Sequence, residues 1–156
     1  MDAPGVIRLE SPLGADIALL MVRHTADMHA DTPPESIHMM DAGQLAIPEV
    51  NFYVLREAGA PVAMGAFKRI DATHAEIKSM HVLAEARGRG LSKRMLDHLV
   101  AEARAAGFTR LSLETGVQPT FVAARALYAK AGFTECPAFE GYWDDPNSVF
   151  MTRRLS

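Results

Sequence analysis

The chain has 156 residues, of which 49% are hydrophobic, and its 16 Lys and Arg against 19 Asp and Glu give a formal net charge of −3. This length and apolar content predict a single domain over residues 1–156 with one core. The slightly acidic balance disfavours nucleic acid as a partner, and no apolar run reaches the roughly 18–20 residues that cross a bilayer, which disfavours a membrane protein.

The N-terminus and the cysteine content predict the compartment. The first five residues include neither a basic nor an apolar segment, so we expect no signal peptide. Cys136 is the single cysteine and cannot form an internal disulfide. We therefore expect a cytoplasmic protein, in which Cys136 is an ordinary half-buried thiol rather than a nucleophile.

The first half of the chain predicts a strand, a helix and an antiparallel meander. A strand is expected over 6–10, and Ser11-Pro12 is a helix-start signal for a helix running to about residue 29. Residues 31–48 contain three prolines and predict a loop with a short helix around 35–42. Alternating apolar residues separated by turns then predict strands over 51–57, 62–70 and 74–82.

The second half predicts alternating helices and strands. A long amphipathic helix is expected over 91–106, with Gly107 ending it. A strand over 111–114 follows, then a helix that starts at Pro119 or Thr120 and ends at Gly132, and a last strand over 149–154. Strands followed by such alternating units predict a mixed α/β sheet with helices on both faces.

The turn before the long helix carries the strongest functional signal. It consists of Arg87, Gly88, Arg89, Gly90, Leu91 and Ser92, and it follows the strand predicted over 74–82. Glycines at a strand-to-helix turn let the backbone approach a ligand, and the helix N-terminus offers free N–H groups and a positive dipole end. The two arginines add positive charge. This turn predicts a site for a phosphorylated cofactor.

These residues resemble the acyl-carrier motif of the GNAT superfamily of acetyl-CoA-dependent N-acetyltransferases, which follows Gln/Arg-x-x-Gly-x-Gly/Ala. Ser92 occupies the last position of that motif. A second motif of the family, Leu-Tyr near the end of a helix and then Gly-Phe, is matched by Leu127-Tyr128 and Gly132-Phe133. Phe121 replaces an asparagine that the family often has before the tyrosine, which puts one carrier contact in doubt.

The likeness covers residues 50–155 well and the N-terminal third loosely. Segments 74–80, 113–116 and 145–151 are further similar to a bacterial subgroup of uncharacterised acetyltransferases. The resemblance implies a GNAT-like, mixed, mostly antiparallel sheet with splayed central strands and helices on both faces. It also implies acetyl-CoA as co-substrate and acetyl transfer to a primary amine of a small molecule or peptide, by direct attack. Dimers are common in the family, so a homodimer is compatible with the likeness.

The resemblance also implies roles for individual residues. The turn from Arg87 to Ser92 would hold the pyrophosphate, and Met80, His81 and Val82 would bind the pantetheine arm through their backbone. Tyr128 would donate a proton to the departing thiolate; the alternative is a tyrosine that only packs. The six histidines show no metal-ligand spacing, so no metal is expected.

Acetyl transfer to an amine also needs a base. A lysine-like amine has a pKa of about 10.4, so its free base at pH 7 costs roughly 4–5 kcal/mol. Glu76 occupies the position of the base glutamate in histone-type members of the family. The alternative is an ion pair of Glu76 with Lys78 or Lys68. Lesser candidates for the base are His74, His81 and Glu114.

The acceptor site is expected between the first two helices, as in the family. Glu35, His38 and Asp41 are the candidates there for binding a polar or cationic acceptor, and the alternative for them is a solvated surface. A second polar and aromatic cluster over 142–145 either closes the acceptor pocket or is a packed turn.

Two other functions remain open from the sequence. The first is a non-catalytic domain that senses acetyl-CoA or CoA, and the second is a nucleotide-dependent enzyme. The turn lacks Gly-Lys-Ser/Thr, departs from Gly-x-Gly-x-x-Gly, and follows strands that fit a dinucleotide-binding unit poorly.

Overall fold

The computed structural model describes residues 5–37 and 39–155. Within them, the strands are β1 (Val6–Leu9), β2 (Val50–Glu57), β3 (Ala60–Arg69), β4 (His74–Val82), β5 (Arg110–Gly116), β6 (Thr134–Cys136) and β7 (Ser148–Arg154). The helices are α1 (Ala18–Asp31), α2 (Ala42–Leu45), α3 (Leu91–Ala105) and α4 (Val122–Lys130).

The strands form one sheet in the order β1-β2-β3-β4-β5-β7-β6. Every neighbouring pair is antiparallel except β4 and β5, which are parallel. The parallel pair requires a crossover, and α3 supplies it between β4 and β5. The predicted class, a mixed and mostly antiparallel sheet with helices, is confirmed.

Helices α1 and α3 cover opposite faces of the sheet. On one face, Met64 of β3 pairs with His81 of β4, whose ring contacts His24 of α1. The next residue, Gly65, faces the other way, and a Cβ on it would lie 2.8 Å from the Cγ of Met95 in α3. Glycine is therefore required at residue 65 because α3 packs directly on the strand backbone.

The buried side of α3 is the stripe that the sequence predicts. The helix buries Leu91, Met95, Leu96, Leu99, Val100 and Ala103. Each of the larger side chains contributes roughly 1.5–3 kcal/mol when it leaves water. This packing fixes the position of the N-terminus of α3 relative to β3 and β4.

The parallel pairing of β4 with β5 ends early. It holds only from His74 with Arg110 to Glu76 with Ser112, whereas β4 continues to Val82 and β5 to Gly116. Beyond that point the two strands diverge. The backbone edge of β4 that faces β5 therefore has no strand partner there within residues 5–37 and 39–155.

A β-bulge in β4 accompanies the divergence. Met64 lies opposite His81 and Ala66 lies opposite Lys78. Between these two pairs the chain advances two residues on β3 but three on β4, so β4 has one extra residue. Ser79 takes the extra place with φ of +59°, a conformation rare for residues other than glycine. Bulges bend a strand and re-aim its side chains, which here happens beside the opened gap.

Two predictions about helices are wrong. Helix α1 begins at Ala18, after a 3₁₀ turn over Ala15–Ile17, and not at Pro12. The Ser11 hydroxyl accepts a hydrogen bond from the N–H of Leu13, two residues on, and so closes a local turn instead of capping a helix.

The short helix predicted around 35–42 is also misplaced. Pro34–Ser36 form one 3₁₀ turn, and α2 starts after Asp41, whose carboxylate accepts from the N–H of Gln44 at 2.7 Å. The Gln44 side chain accepts in return from the N–H of Asp41, which completes a capping box. Strand β6 was not predicted because three residues are too few for an alternating pattern.

Candidate active site

A groove of about 710 Å³ lies in the gap between the diverging strands. Its walls come from the second half of α1, the ends of β4 and β5, the start of α3 and the inner side of α4. We call this space the groove. It runs from the N-terminus of α3 past Tyr128 to Glu76 and Tyr142, so it connects most of the residues that the sequence singles out.

The first end of the groove, the carrier end, is the turn into α3. Gly88 and Gly90 adopt φ of +80° and +78°, and a Cβ on either would meet no atom within 4 Å. Glycine is favoured here by the left-handed backbone and not by crowding. Gly90 is the N-cap of α3 and no side chain caps the helix. The N–H groups of the first turn therefore face the groove ready to bind an anion.

The two arginines of the turn behave differently. Arg87 lines the groove, donates from Nε to the carbonyl of Val82 at 3.1 Å, and pairs with Asp27 of α1 at 2.8 Å. The guanidinium of Arg89 forms an ion pair with Glu57 of β2 and does not line the groove. Gly88, Gly90, Leu91 and Ser92 all line it. The structure thus gathers five of the six predicted turn residues.

Met80, His81 and Val82 of β4 line the groove. Burial lowers the pKa of His81, and burial lowers the pKa of the adjacent His24 to about 4. Both rings are therefore neutral at pH 7. This middle section of the groove consequently offers backbone groups and neutral side chains, which suits an uncharged arm.

Tyr128 of α4 is buried with 7% of its surface exposed, and it lines the groove. Its ring packs against Phe133 in a T-shaped contact with centroids 6.0 Å apart. Burial raises the pKa of Tyr128 to about 12. The hydroxyl is therefore protonated at neutral pH and can act as a hydrogen-bond or proton donor. Phe121, which stands where the family often has asparagine, lines the same wall.

Two carboxylates reach the groove beyond Tyr128. Burial raises the pKa of Glu114, on β5, to about 7, although the charge of Lys78 opposes the shift. A carboxylate that titrates near neutral pH can accept a proton in one step and lose it in the next. The sequence ranked Glu114 only as a lesser candidate because its burial depends on where β4 and β5 part.

Glu76 belongs to a buried network at the second end of the groove, the acceptor end. Its side chain is almost fully buried, and its Oε2 lies 3.2 Å from the Nζ of Lys78. The hydroxyl of Tyr142 donates to the same Oε2 and accepts from Lys78 at 2.6 Å. Burial raises the pKa of Tyr142 far above its usual range, so the hydroxyl remains a donor. The ion pair of Glu76 with Lys78 that the sequence offered as an alternative is therefore present.

The residues expected to bind the acceptor are mostly not brought to the groove. Glu35 is exposed in a 3₁₀ turn, and Asp41 is engaged in the cap of α2. Neither lines the groove. His38 lies outside the described residues. Met39, between them in sequence, does line the groove.

A second depression of about 340 Å³ adjoins the acceptor end of the groove. We call it the acceptor depression. It shares Met39, Glu76, Lys78 and Tyr142 with the groove and is completed by Met40, Gln44, Lys68, Glu140 and Gly141. Of the predicted cluster over 142–145, only Tyr142 lines either space.

Sequence reasoning missed several of these residues. His24 and Asp27 of α1 line the groove, and Gln44 lines the acceptor depression. Spacing on α1 could have placed His24 and Asp27 on one helix face, but no local signal connected that face to β4. Gln44 had the signature of a capping residue, three positions after Asp41, and nothing more.

Comparison with known proteins agrees with this geometry. A family model described as "Acetyltransferase (GNAT) family" matches residues 21–133. The chain belongs to the GNAT acetyltransferase family. As a member, it is an enzyme of the acyltransferase class, and acetyl transfer is the general activity of this family.

Individual relatives are similar over almost the whole chain. The Bacillus subtilis protein named "Uncharacterized N-acetyltransferase YsnE" is 40% identical, over 96% of this chain and 99% of the relative. An Azospirillum brasilense protein named "IAA acetyltransferase" is 39% identical, over 96% and 97% of the two chains. The structure of a GNAT family acetyltransferase from Elizabethkingia anophelis with acetyl-CoA bound shares the fold, with a TM-score of 0.71, 17% identity, and coverage of 97% and 98%.

The described residues contain neither a membrane-spanning helix nor a metal-binding cluster. No helix among residues 5–37 and 39–155 has the length and apolar character needed to cross a membrane. In the same part of the chain, no group of three or more His, Cys, Asp or Glu residues is placed to hold a metal ion.

Proposed function

We propose that this GNAT enzyme transfers acetyl from acetyl-CoA to the primary amine of a small molecule or peptide by direct attack. The observation that carries the proposal is one continuous groove. It joins the uncapped N-terminus of α3, the unpaired edge of β4, and Tyr128. These are an anion site, a row of backbone hydrogen-bonding groups and a proton donor, in that order.

The residues present fit acetyl-CoA. The first turn of α3 and Arg87 would hold the pyrophosphate, and Met80 to Val82 would pair with the pantetheine through their backbone. An N–H of this β4 edge would also face the thioester oxygen, which gains negative charge during transfer. When bound, acetyl-CoA supplies the activated acetyl group at a thioester.

Tyr128 is the proposed proton donor. Its hydroxyl is buried, protonated at neutral pH because its pKa is about 12, and on the groove wall. The hydrogen would pass to the sulfur as that atom becomes basic. The packing against Phe133 holds the ring orientation without engaging the hydroxyl.

Two carboxylates are candidates for accepting the proton of the amine. Glu76 stays the prediction made from the sequence, but its Oε2 already accepts from Tyr142 and pairs with Lys78. Glu114 is the second candidate, favoured by its pKa of about 7. In the second assignment, Glu76 keeps Lys78 and Tyr142 in place at the acceptor end.

Calorimetric titration with acetyl-CoA, with CoA, ATP and NAD as controls, tests the carrier. Thiol release with a panel of amines then tests the reaction. Micromolar binding of acetyl-CoA and CoA alone, with acetylated amine as product, is the expected result. Tight carrier binding without transfer to any amine would contradict the proposal and favour a sensor. Binding of ATP or NAD in place of CoA would overturn the carrier assignment itself.

A further inference from the structure

The acceptor depression has no contribution from the carrier end. It is built from β3, β4, the segment around α2 and residues 140–142, and none of the α3 or α4 residues that line the groove lines it. It meets the groove at Glu76, Lys78 and Tyr142. A molecule seated in it therefore presents one end to the groove while the rest remains between β3 and the start of α2.

The depression is lined by two lysines and two glutamates, and the two lysines are held differently. Glu76 and Lys78 form an ion pair with each other. Lys68 lies directly across from Glu76 in the register of β3 and β4, so the two side chains share a face of the sheet. Lys68 is half-buried, and it forms no ion pair or hydrogen bond within the described part of the chain. An anionic ligand in the depression would give this ammonium a charge-assisted hydrogen-bond partner.

Gln44 adds a neutral donor to the same wall. Its Oε1 accepts from the N–H of Asp41, which fixes the side chain through the cap of α2. The amide NH₂ of Gln44 is then the donor that remains. A carboxylate can accept from an ammonium and an amide together.

We propose that the acceptor is a small amino acid-like molecule whose carboxylate binds Lys68 and Gln44 in the acceptor depression. The inference rests on the proposed function and names its substrate class. The free amine of the acceptor extends past Tyr142 into the groove. There a bond forms between the amine nitrogen and the acetyl carbon, and the carbon–sulfur bond of the thioester breaks. The nitrogen gives up one proton to a groove carboxylate, and the sulfur takes one from Tyr128.

The size of the depression agrees with a compact acceptor. Its volume of about 340 Å³ is at the lower end of ordinary small-molecule sites. Glu140 stands at its exposed side, so the rim offers a negative charge as well as the positive charge of Lys68.

The first test compares acceptors that differ only in the carboxylate. The common L-amino acids and their carboxamides are assayed by thiol release with the wild-type enzyme, Lys68→Met and Lys68→Arg. Lys130→Met is the matched control, because Lys130 is an exposed lysine that lines neither space. We expect Lys68→Met to raise KM about tenfold or more for the amino acid and to leave KM for its carboxamide unchanged. Lys68→Arg keeps the positive charge, so it should keep a KM for the amino acid close to that of the wild type. In both variants kcat should change little.

An equal KM increase for both acceptors, or the same increase in Lys130→Met, would overturn the inference. Exclusive acetylation of polyamines, or of peptide amines without a nearby carboxylate, would overturn it too. Titration of each variant with acetyl-CoA shows that the carrier end is intact.

The second test does not require turnover. Binding of N-acetyl amino acids and of their carboxamides is measured calorimetrically in the presence of CoA. We expect the carboxylate form to bind more tightly in the wild type and to lose this advantage in Lys68→Met. Lys68-dependent carboxylate binding without acetylation of any amine would contradict the proposed function while supporting the carboxylate site. Equal binding of both forms would overturn the inference.

Discussion

The carrier end and the acceptor end of the groove are built in different ways. The carrier end is one stretch of chain, from Arg87 to Ser92, and it presents backbone N–H groups and two glycines in left-handed conformation. The acceptor end is assembled from distant segments and presents the side chains of Glu76, Lys78 and Tyr142. The carrier end can therefore be recognised in the sequence, whereas the acceptor end forms only when the chain folds.

The difference predicts how each end responds to mutation. Substitutions at the carrier end should change the affinity for acetyl-CoA. The loss should be largest where the new side chain strains the backbone conformation. Changes around the acceptor end should act on rate, on pH dependence and on the acceptor KM. The predictions below are arranged from the largest expected effect to the smallest.

Replacing a groove carboxylate should have the largest effect. For Glu114→Gln we expect kcat/KM to fall about 10²-fold or more, since general bases contribute on that scale. The carboxylate form exists above its pKa of about 7, so the wild-type rate should rise between pH 6 and 8. Glu114→Gln should flatten that rise, and Glu76→Gln should keep it. If Glu76→Gln instead flattens the rise and Glu114→Gln keeps it, Glu76 is the base, as the sequence predicted.

The Glu114 carboxylate should also make the stability of the protein depend on pH. A carboxylate in a salt bridge stabilises the fold more as pH rises, whereas buried Glu114 should stabilise it less. The folded-state pKa of Glu114 is raised from 4.5 to about 7, so the folded protein binds more protons than the unfolded chain between these values. Its contribution to the free energy of unfolding therefore falls as pH rises through that range. Chemical denaturation at pH 5 and pH 8 should show a smaller decrease for Glu114→Gln than for the wild type.

Tyr128→Phe should lower kcat by about 10²-fold while leaving the Kd for acetyl-CoA nearly unchanged. The ring and its contact with Phe133 are retained, and only the hydroxyl is lost. Rapid-quench measurement of the acetyl step, with calorimetry for binding, separates the two effects. A parallel loss of binding and rate would assign Tyr128 a packing role.

Gly90→Val should weaken acetyl-CoA binding about tenfold, or ~1.4 kcal/mol. The residue has φ of +78° at the start of α3, where a side chain strains the backbone that orients the first N–H groups. Gly59→Val is the matched control, since Gly59 has φ of +83° in the β2–β3 turn and equally open surroundings. Both variants should lose similar stability, and the Gly59 variant should bind acetyl-CoA normally.

Glu35→Gln should change least. Glu35 is exposed and does not line the groove or the acceptor depression. We expect kcat, acceptor KM and stability within about 0.5 kcal/mol of the wild type, as for most surface substitutions. A clear increase in acceptor KM would restore the acceptor role that the sequence suggested for this residue.

Much of the fold could be predicted from local patterns. β4 is found over His74–Val82 as predicted, and α3 begins at Leu91 as predicted. These elements combine strong periodicity with clear end signals, so local and tertiary preferences agree. The predicted start of α1 and the predicted position of α2 were wrong, because Ser11 and Asp41 are short polar residues that fit several kinds of turn.

The site was predicted unevenly for the same reason. Tyr128 and the glycine turn belong to contiguous motifs, and the structure places both on the groove. The side-chain interactions of Arg89 depend on Glu57 of β2, more than 30 positions away in the chain. No pattern along the sequence carries that information, because ion pairing depends on which strands become neighbours.

The sequence by itself determined the family, most of the strands and helices in their order, and the glycine turn of the carrier end. Those features follow from residue preferences for φ, from apolar periodicity and from motifs of a few residues. Only the tertiary structure decided that Glu114 is desolvated, that Glu76 pairs with Lys78 beneath Tyr142, and that Lys68 faces the acceptor depression. Desolvation and charge pairing depend on distances between segments far apart in the chain, and folding sets those distances.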